Sequence, residues 1–447
     1  MLRKILPILS LLLAILCAMG VSCKKDCPTQ PAPLAPSHTA ITLQVTFTST
    51  RWCRLQWTND SSAVSHRYLF LRNNRDTLFN DSVASSAPLK ILQDTVLKPG
   101  TTYSYWVYRI VNGQRWDSAT VSVRTLDTTR DNYTWETIRI GQAGSVLYGI
   151  WGNSPNSVWM CGGGDNGGCH FFNVVHDVNG SLEFLNASVA GGGFNACYGV
   201  SDSSIYFVGL ATLAHWDGHE FSYVLFYGDS VPVRAGNLSS VWVTRDESEV
   251  FAVGDSGRIV HRSADGKWEV QPSGSTLNLT KVIGFSNRDV YAVGTKSNYE
   301  GVILKYDGAT WGEIAHAYDP PPNDTTLLAG NAVGIGGESA DSLYACGVYI
   351  YKRNGSRWKL ADAPCNDPSY HGGPCGAYRE TISGTWNNMW VGGDFGYLLH
   401  FDGEKWVDIR NFFDLNSNLV WIGILPFPNE MFILGSDHNG AVLLHGK

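Results

Sequence analysis

The stretch "AVGDSGRIVHRSADGKWEV", residues 252–270, places a serine between small residues, Gly254-Asp255-Ser256-Gly257. A serine hydroxyl becomes a nucleophile only beside a general base that is itself oriented by an acid. Nothing in the flanks supplies such a set. Other stretches fail comparable tests. "GGGDNGG" at 162–168 is glycine-rich but lacks the Gly-Lys-Ser/Thr of a phosphate loop and a following helix. "DVNGSLE" at 177–183 lacks the carboxylate density of a calcium loop. The cysteines have no metal-ligand spacing and no histidine cluster accompanies them. The sequence therefore points to no catalytic residue, no metal and no cofactor.

Composition bounds the remaining possibilities. The chain has 447 residues, of which 16% are charged, with 48 glycines and 16 tryptophans. A low charge content with excess glycine and tryptophan fits many tight turns joining short aromatic-rich strands. A net charge of -7 offers no basic field for a polyanion, which argues against nucleic acid as a partner.

The first residues, "MLRKILPILSLLLAILCAMGVSC", have a basic start at Arg3 and Lys4, an apolar run from Ile5 to Met19, and small residues before Cys23. That run is short for a bilayer span and is followed by a polar linker, so residues 1–22 read as a secretory signal. "GVSC" at 20–23 resembles the lipobox of bacterial lipoproteins, although Gly20 stands where that family prefers Leu. The resemblance implies cleavage before Cys23, acylation of its thiol, and, with Lys24 next, the outer membrane, periplasmic or surface-facing. Ordinary secretion with a free Cys23 is the alternative. Residues 23–36 contain the Pro-rich run "KKDCPTQPAPLAP", which suits an extended spacer. Among the other cysteines, two pairs are close enough in sequence to propose as disulfides, Cys161 with Cys169 and Cys365 with Cys375. Cys197 and Cys346 lie in apolar strand-like runs and read as buried small hydrophobes.

About 90 residues follow with strands of period two, among them "CRLQWTN", "HRYLFLRN", "YSYWVYRIV" and "ATVSVRTL". With Trp57 in an early strand and Tyr103 in "LKPGTTYSYWVYRI", residues 37–126 resemble a fibronectin type III domain. The resemblance implies a β-sandwich in which the Tyr103 hydroxyl ties down a strand crossing. No Arg-Gly-Asp loop is present, and a spacer role is expected.

From residue 133 the chain repeats. Seven segments share an apolar strand, a polar turn and a second apolar strand ending near glycine, as in "YGVSDSSIYFVG" from 198 and "VIGFSNRDVYAVG" from 282. A third strand and an Asp/Asn-Gly turn follow in most, then an aromatic: "WDGHEF", "ADGKW", "YDGATW", "RNGSRW", "FDGEKW". The aromatics fall at Trp135, Phe184, Phe221, Trp268, Trp311, Trp358 and Trp406, which is 271 residues over six steps, or about 45 per repeat. The seventh repeat stops at "AVLLHGK" after its third strand, and "YTWETIRI" at 133–140 supplies the missing fourth. Residues 133–447 thus resemble bacterial seven-bladed β-propellers. The expected fold is all-β: a fibronectin type III sandwich followed by a seven-bladed propeller closed by pairing of N- and C-terminal strands. Such a resemblance says little about activity.

In repeat register, Gly254–Gly257 joins second to third strand, where another repeat has "GGDFGYLL" with Phe395 in place of Ser256. The tetrapeptide resembles the nucleophile segment of chymotrypsin-like serine proteases, but its place in the repeat makes it a turn. "SADGKW" at 263–268 resembles the Asp-box of sialidases with the spacing too short, and its Asp-Gly suits a hairpin turn with positive φ.

Connections from first to second and from third to fourth strands are short in nearly every repeat. Those from second to third strands and between repeats are long: "VLFYGDSVPVRAGN", "AHAYDPPPNDTTLLAGN", "DAPCNDPSYHGGPCGAY". The long classes emerge on one face, where binding is expected. That face carries the candidate binding residues Tyr227, Asp229, Tyr299, Tyr318, Tyr370, His371, Arg379 and Phe412. Aromatic and arginine anchors suit protein recognition, and aromatics with carboxylates suit sugars. Two functions follow. The first is a lipid-anchored, monomeric, non-catalytic protein that binds an envelope or extracellular protein or glycan. The second is a carbohydrate-active enzyme, with two of Asp165, Asp229, Asp394 and Asp414 as the required carboxylates.

Overall fold

A computed structural model gives the structure of the chain. It describes residues 40–48, 50–58, 66–81, 89–127, 133–168, 170–187, 192–225, 236–296, 300–318, 328–329, 331–355, 357–361, 379–385, 387–409 and 418–447. Residues 1–23, where a signal and lipidation segment is expected, lie outside these residues.

The described chain is all-β. Its N-terminal part has seven strands: β1 (Leu43–Thr48), β2 (Cys53–Thr58), β3 (His66–Arg72), β4 (Asp76–Asp81), β5 (Leu89–Asp94), β6 (Thr102–Val111) and β7 (Gln114–Arg124). They form two antiparallel sheets, ordered β1-β2-β5 and β4-β3-β6-β7. Alternation in sequence becomes alternation in burial: β2 buries Cys53, Leu55 and Trp57 and leaves its other residues part-exposed, as period-two side chains must when one face of a sheet meets a core. Trp57 packs against Tyr68 and Phe70. Tyr103 Oη accepts a hydrogen bond from the Lys98 backbone N–H at 2.9 Å. Buried Asp94 receives the Tyr105 hydroxyl at 2.7 Å and the Arg72 guanidinium at 3.1 Å.

The C-terminal part consists of seven repeats. Their strands are β9 (Val146–Ser154), β10 (Ser157–Asp165), β11 (Phe171–Val178) and β12 (Ser181–Leu185); β13 (Phe194–Ser201), β14 (Ser204–Gly209), β15 (Thr212–Trp216) and β16 (Phe221–Leu225). Then come β17 (Leu238–Val243), β18 (Val250–Gly254), β19 (Ile259–Arg262) and β20 (Trp268–Gln271); β21 (Asn278–Ser286), β22 (Asp289–Thr295), β23 (Gly301–Tyr306), β24 (Trp311–Tyr318) and the two-residue β25 (Leu328–Ala329). The fifth and sixth repeats hold β26 (Gly334–Gly337), β27 (Leu343–Cys346), β28 (Ile350–Asn354) and β29 (Arg357–Leu360); β30 (Arg379–Thr385), β31 (Asn388–Gly393), β32 (Leu398–Phe401) and β33 (Trp406–Asp408). The seventh has β34 (Val420–Pro426), β35 (Met431–Asp437) and β36 (Gly440–Gly446), and its fourth strand is β8 (Trp135–Ile140). β8 pairs with β36 from Gly446↔Trp135 to Ala441↔Ile140, and an Arg139–Asp437 ion pair at 2.7 Å crosses the last sheet.

The first strands meet in a circle: β9 on β13, β13 on β17, β17 on β21, β21 on β26, β26 on β30, β30 on β34, and β34 back on β9. Second strands such as β14 and β18 are buried at every residue, because sheets cover them on both faces. That is why "SIYFVG" and "VFAVG" carry almost no polar residue. Six of the seven inner strands slip register near their start, leaving one extra residue opposite the second strand: Tyr148, Asn195, Ser239, Thr280, Glu380 and Ile422. Such bulges sharpen local twist and re-aim side chains. The Gly254–Gly257 segment is a single 3-10 turn with Ser256 at φ 56°, matching Phe395 at φ 56° in the sixth repeat.

One cross-strand pair recurs in all seven sheets. An aromatic on the second strand faces a histidine or lysine directly opposite on the third: Trp159↔His176, Tyr206↔His215, Phe251↔His261, Tyr291↔Lys305, Tyr344↔Lys352, Trp390↔His400 and Phe432↔His445. The imidazoles stack on the rings, with centroids 3.8 Å apart at Trp159–His176 and 4.0 Å at Trp390–His400. The lysine ammonium groups lie 5.7 Å and 5.5 Å from the Tyr291 and Tyr344 rings.

The sandwich docks on the ring. Thr50 Oγ1 donates to the Gly403 carbonyl at 2.7 Å, Arg51 pairs with Glu404 at 2.7 Å, and Arg54 faces Asp341 at 3.6 Å. Phe47 and Trp52 pack into the cluster containing Phe401 and Trp406. Asp341 sits in a first-to-second turn and Gly403–Glu404 in a third-to-fourth turn, so the sandwich occupies the short-turn face.

His400 is fully buried, and burial pushes its pKa down to about 3. Its ordinary value is about 6.5, so between these limits the unfolded chain holds more protons than the folded one. The stability it contributes is complete above pH 6.5 and lost as pH falls toward 3. Burial pushes His176 and His215 down in the same direction. Melting temperature measured against pH should therefore fall on acidification through this window. His400→Gln should melt lower at pH 7, by about 1–2 kcal/mol for the lost stacking, yet decline less steeply with acid.

Candidate functional site

A cleft of about 940 Å³ is formed among the described residues. It opens on the short-turn face, where the inner strands of the second to fifth repeats end. Its walls include Tyr198 and Val200 from β13, Trp242 from β17, Phe285 and Ser286 from β21, and the connections carrying Arg245, Asp246, Asn287 and Glu338.

The aromatic floor is set by packing between repeats. Trp242 lies across the backbone of the next repeat at Gly284, where an added Cβ would stand 2.6 Å from the indole. Trp151 lies in the same way over Gly199, with a corresponding distance of 2.9 Å. Each ring fits only because its neighbour lacks a side chain, and the cleft inherits a fixed indole edge. Burial pushes the Tyr198 phenol up, opposed by the nearby Trp242 and Arg245, so the phenol stays protonated and can donate.

The rim is polar. Thr244 to Glu249 forms a closed turn, with Thr244 N–H donating to the Glu249 carbonyl at 3.0 Å and Glu247 at φ 58°. Ser248 Oγ donates to Asp246 Oδ1 at 2.8 Å. Hydrogen bonds from Ser248 and Thr244 hold the Asp246 carboxyl below its usual pKa. Arg245 is exposed and makes no ion pair among the described residues. Glu338 stands on the wall supplied by the fifth repeat, four residues before Ser342, and its connection also carries Asp341, which faces Arg54 of the sandwich. A concave site with an aromatic floor and a few placed polar groups is the usual form of a small-ligand pocket.

Of the eight expected binding residues, two fall among the described residues. Tyr227, Asp229, Tyr299, Tyr370, His371 and Phe412 fall outside the described residues. Tyr318 closes β24, paired with Ala329, and Arg379 opens β30, paired with Gly393. Both are at the long-connection ends of their strands. Asp165 accepts the Gly167 N–H at 2.8 Å and Asp394 opens a 3-10 turn, while Asp229 and Asp414 fall outside. The structure instead places Glu380, which sequence reasoning passed over, near Asp394. Burial first, and Asp394 second, push the Glu380 carboxyl up.

The expected Cys161–Cys169 disulfide is corrected: Cys161 is a free thiol, fully buried. It sits inside β10 opposite Gly149 and Val174, with paired residues continuing past it to Asp165↔Phe171, so it faces the interior rather than the hairpin end. Cys169, Cys365 and Cys375 lie outside the described residues. Cys197 and Cys346 are buried free thiols.

The sequence held one signal for the cleft. "TRDESE" is the most charged of the first-to-second connections, and large rings stand at Trp151, Tyr198 and Trp242 near the ends of successive first strands. No family model matches the chain, and no curated protein matches it.

Gly284→Ala should strain this packing and lower stability by about 1–3 kcal/mol, with a shift in tryptophan emission as Trp242 moves. Gly312→Ala, whose added Cβ meets nothing within 4 Å, should leave both readouts near wild type.

Proposed function

We propose that the chain is a non-catalytic binding protein of a bacterial cell envelope, held to the outer membrane by lipid on Cys23. In this reading residues 1–22 are the signal peptide, 23–36 a spacer, 37–126 a fibronectin type III domain and 133–447 a seven-bladed β-propeller. The circle of seven sheets with its last sheet completed by β8 supports the propeller. The sheet orders β1-β2-β5 and β4-β3-β6-β7, with the Tyr103 hydrogen bond, support the fibronectin-like module.

The observation that carries the function is the cleft, with an aromatic floor at Tyr198, Trp242 and Phe285 below a rim of Arg245, Asp246 and Asn287. Flat apolar rings beside hydroxyl, amide and charged groups match the alternating apolar and hydroxylated surfaces of a glycan. Capture from envelope extracts tests this with wild-type chain, Trp242→Ala, and a variant shortened at 316–330 and 364–377. Trp242→Ala should weaken glycan capture roughly thirty-fold, as for loss of a central aromatic anchor, and the shortened variant should retain it. Loss confined to the shortened variant would move the binding surface to the long-connection face, and a captured protein would replace the glycan as partner.

A second reading, a glycosidase-like enzyme, rests on Glu380. A glycosidase needs two neighbouring carboxyls, and Glu380 is close enough to Asp394 to feel its charge. If that reading holds, hydrolysis of an envelope polysaccharide should be measurable and should fall at least a hundredfold in Glu380→Gln. Absence of turnover in wild type leaves the binding reading alone.

A further inference from the structure

In the ring, second-strand side chains pack onto the first strand of the next repeat, and the register identifies the facing pairs. Val208 and Val241 share one buried cluster, Val253 and Val282 the next, and Val293 and Ile335 a third. Between the first and second repeats the same two places hold Cys161 and Cys197, again in one cluster. The place of Cys197 is filled in the other repeats by Ile150, Val241, Val282, Ile335, Ile382 and Ile424. A thiol interrupts a series of Ile and Val, and the residue it faces is also a thiol.

The approach is close. A Cβ added at Gly149 would stand 2.8 Å from Cys161 Sγ and 2.8 Å from the Cys197 backbone nitrogen, so the sulfur reaches the neighbouring strand through the gap that the glycine leaves. From the other side, Cys197 Sγ lies 3.9 Å from the Trp159 carbonyl oxygen on β10. The two thiols are within hydrogen-bonding reach of each other. Both are buried free thiols in the structure. Cys346 is the internal contrast. It sits past Gly334 in the same way, 2.7 Å from an added Cβ, but the residue facing it in the next repeat is Ile382.

We propose that Cys161 and Cys197 are the two halves of a disulfide that joins the first repeat to the second, formed as the chain folds in the presence of a disulfide oxidant. One cysteine thiolate attacks the sulfur–sulfur bond of the oxidant, giving a mixed disulfide and releasing one thiol; the other cysteine thiolate then displaces the second thiol. Two electrons and two protons pass to the oxidant, which leaves as two thiols, and one S–S bond replaces two S–H bonds. Burial, and after it the Cys197 thiol, hold the Cys161 thiol well above its ordinary pKa. Thiolate is therefore scarce once the interface has closed, which assigns the step to folding. The pair is separate from the cleft, so the outcome does not bear on the binding reading.

The test is disulfide mapping of the full chain refolded from a reduced, denatured state in a mixture of reduced and oxidised glutathione. After alkylation of free thiols in denaturant and proteolysis without reductant, mass spectrometry should find the peptide with Cys161 joined to the peptide with Cys197, and Cys346 alkylated. Cys197→Val, which places there a residue type that other repeats carry, should fold, lack the joined peptide and leave Cys161 alkylated. Reduction should lower the melting temperature of wild type by about 5 °C more than that of Cys197→Val. Recovery of Cys161 and Cys197 both alkylated from refolded wild type, or of Cys161 joined to any other cysteine, would overturn the proposal.

Discussion

The C-terminal ring depends on the pairing of an aromatic side chain with an imidazole or ammonium across the second and third strands of every sheet. Each of these sheets is covered on both faces, so a polar residue on either strand is buried and must be satisfied in place. The stack answers this by giving one side of the imidazole a ring, and the strand start then satisfies its nitrogen. His176 Nε2 is bonded to Ser157 Oγ at 2.9 Å, His215 to Ser204 at 2.9 Å, His261 to Glu249 at 2.9 Å, His400 to Asn388 at 2.9 Å and His445 to Glu430 at 2.7 Å. In the fourth sheet Asp289 takes Lys305 at 2.8 Å. The same groups also reach the following repeat: Ser157 donates to Asp202 at 2.7 Å, Ser204 to Glu247 at 2.6 Å, and Glu249 accepts from Asn287 at 3.1 Å. A single unit therefore fixes strand register within a sheet and ties neighbouring sheets together.

Those ties all sit at the first-to-second turns, which explains the contrast between the two faces. Asp202, Glu247 and Asn287 are turn residues with a structural task, and a turn anchored at its middle to the preceding sheet has no room to lengthen. The resulting surface is rigid, and it is this surface that receives the sandwich at Gly403, Glu404 and Asp341. The cleft lies on the same side because its walls are the strand ends that these anchored turns hold apart. Glu247 illustrates the economy: its carboxylate receives Ser204 while its backbone, at positive φ, closes the turn that presents Arg245 and Asp246 to the cleft. Short connections here mark constraint.

Much of the all-β architecture was legible in the sequence because it is written locally. The Asp/Asn-Gly turns and the aromatics from Phe184 to Trp406 lie on successive fourth strands, and Trp135 lies on the strand that completes the last sheet. The stack was written there too: "HWDG", "KYDG", "KRNG" and "HFDG" each carry the histidine or lysine just before the turn. It passed unnoticed because its aromatic partner is eight or more residues earlier, a spacing that only the hairpin register converts into contact. β4 and β5 were missed for a different reason, since "DTLFND" and "LKILQD" mix polar and apolar residues without a clean period of two. The cleft left only the charge of "TRDESE" and the large rings before it as a trace in the sequence, because its walls come from four repeats about 45 positions apart.

Cys161 shows how glycine spacing misleads and then informs. "CGGGDNGGC" suggests a loop closed by two thiols, but the glycines at 162–164 belong to the strand and its close contacts. An added Cβ at Gly162 would stand 2.2 Å from the Val146 carbonyl oxygen, so the glycine is there to let β10 press against β9. Once Cys161 is placed inside that strand, its thiol packs past Gly149 toward the next repeat, where an added Cβ at Gly149 would meet Cys161 Sγ, Cys197 N and Ala196 Cα within 2.9 Å. The inner strand surrenders a side chain at that position, and the second strand's thiol fills the space between the two repeats. The contact between the first and second repeats is thus made in part by a second-strand side chain reaching through a gap that a first-strand glycine leaves open.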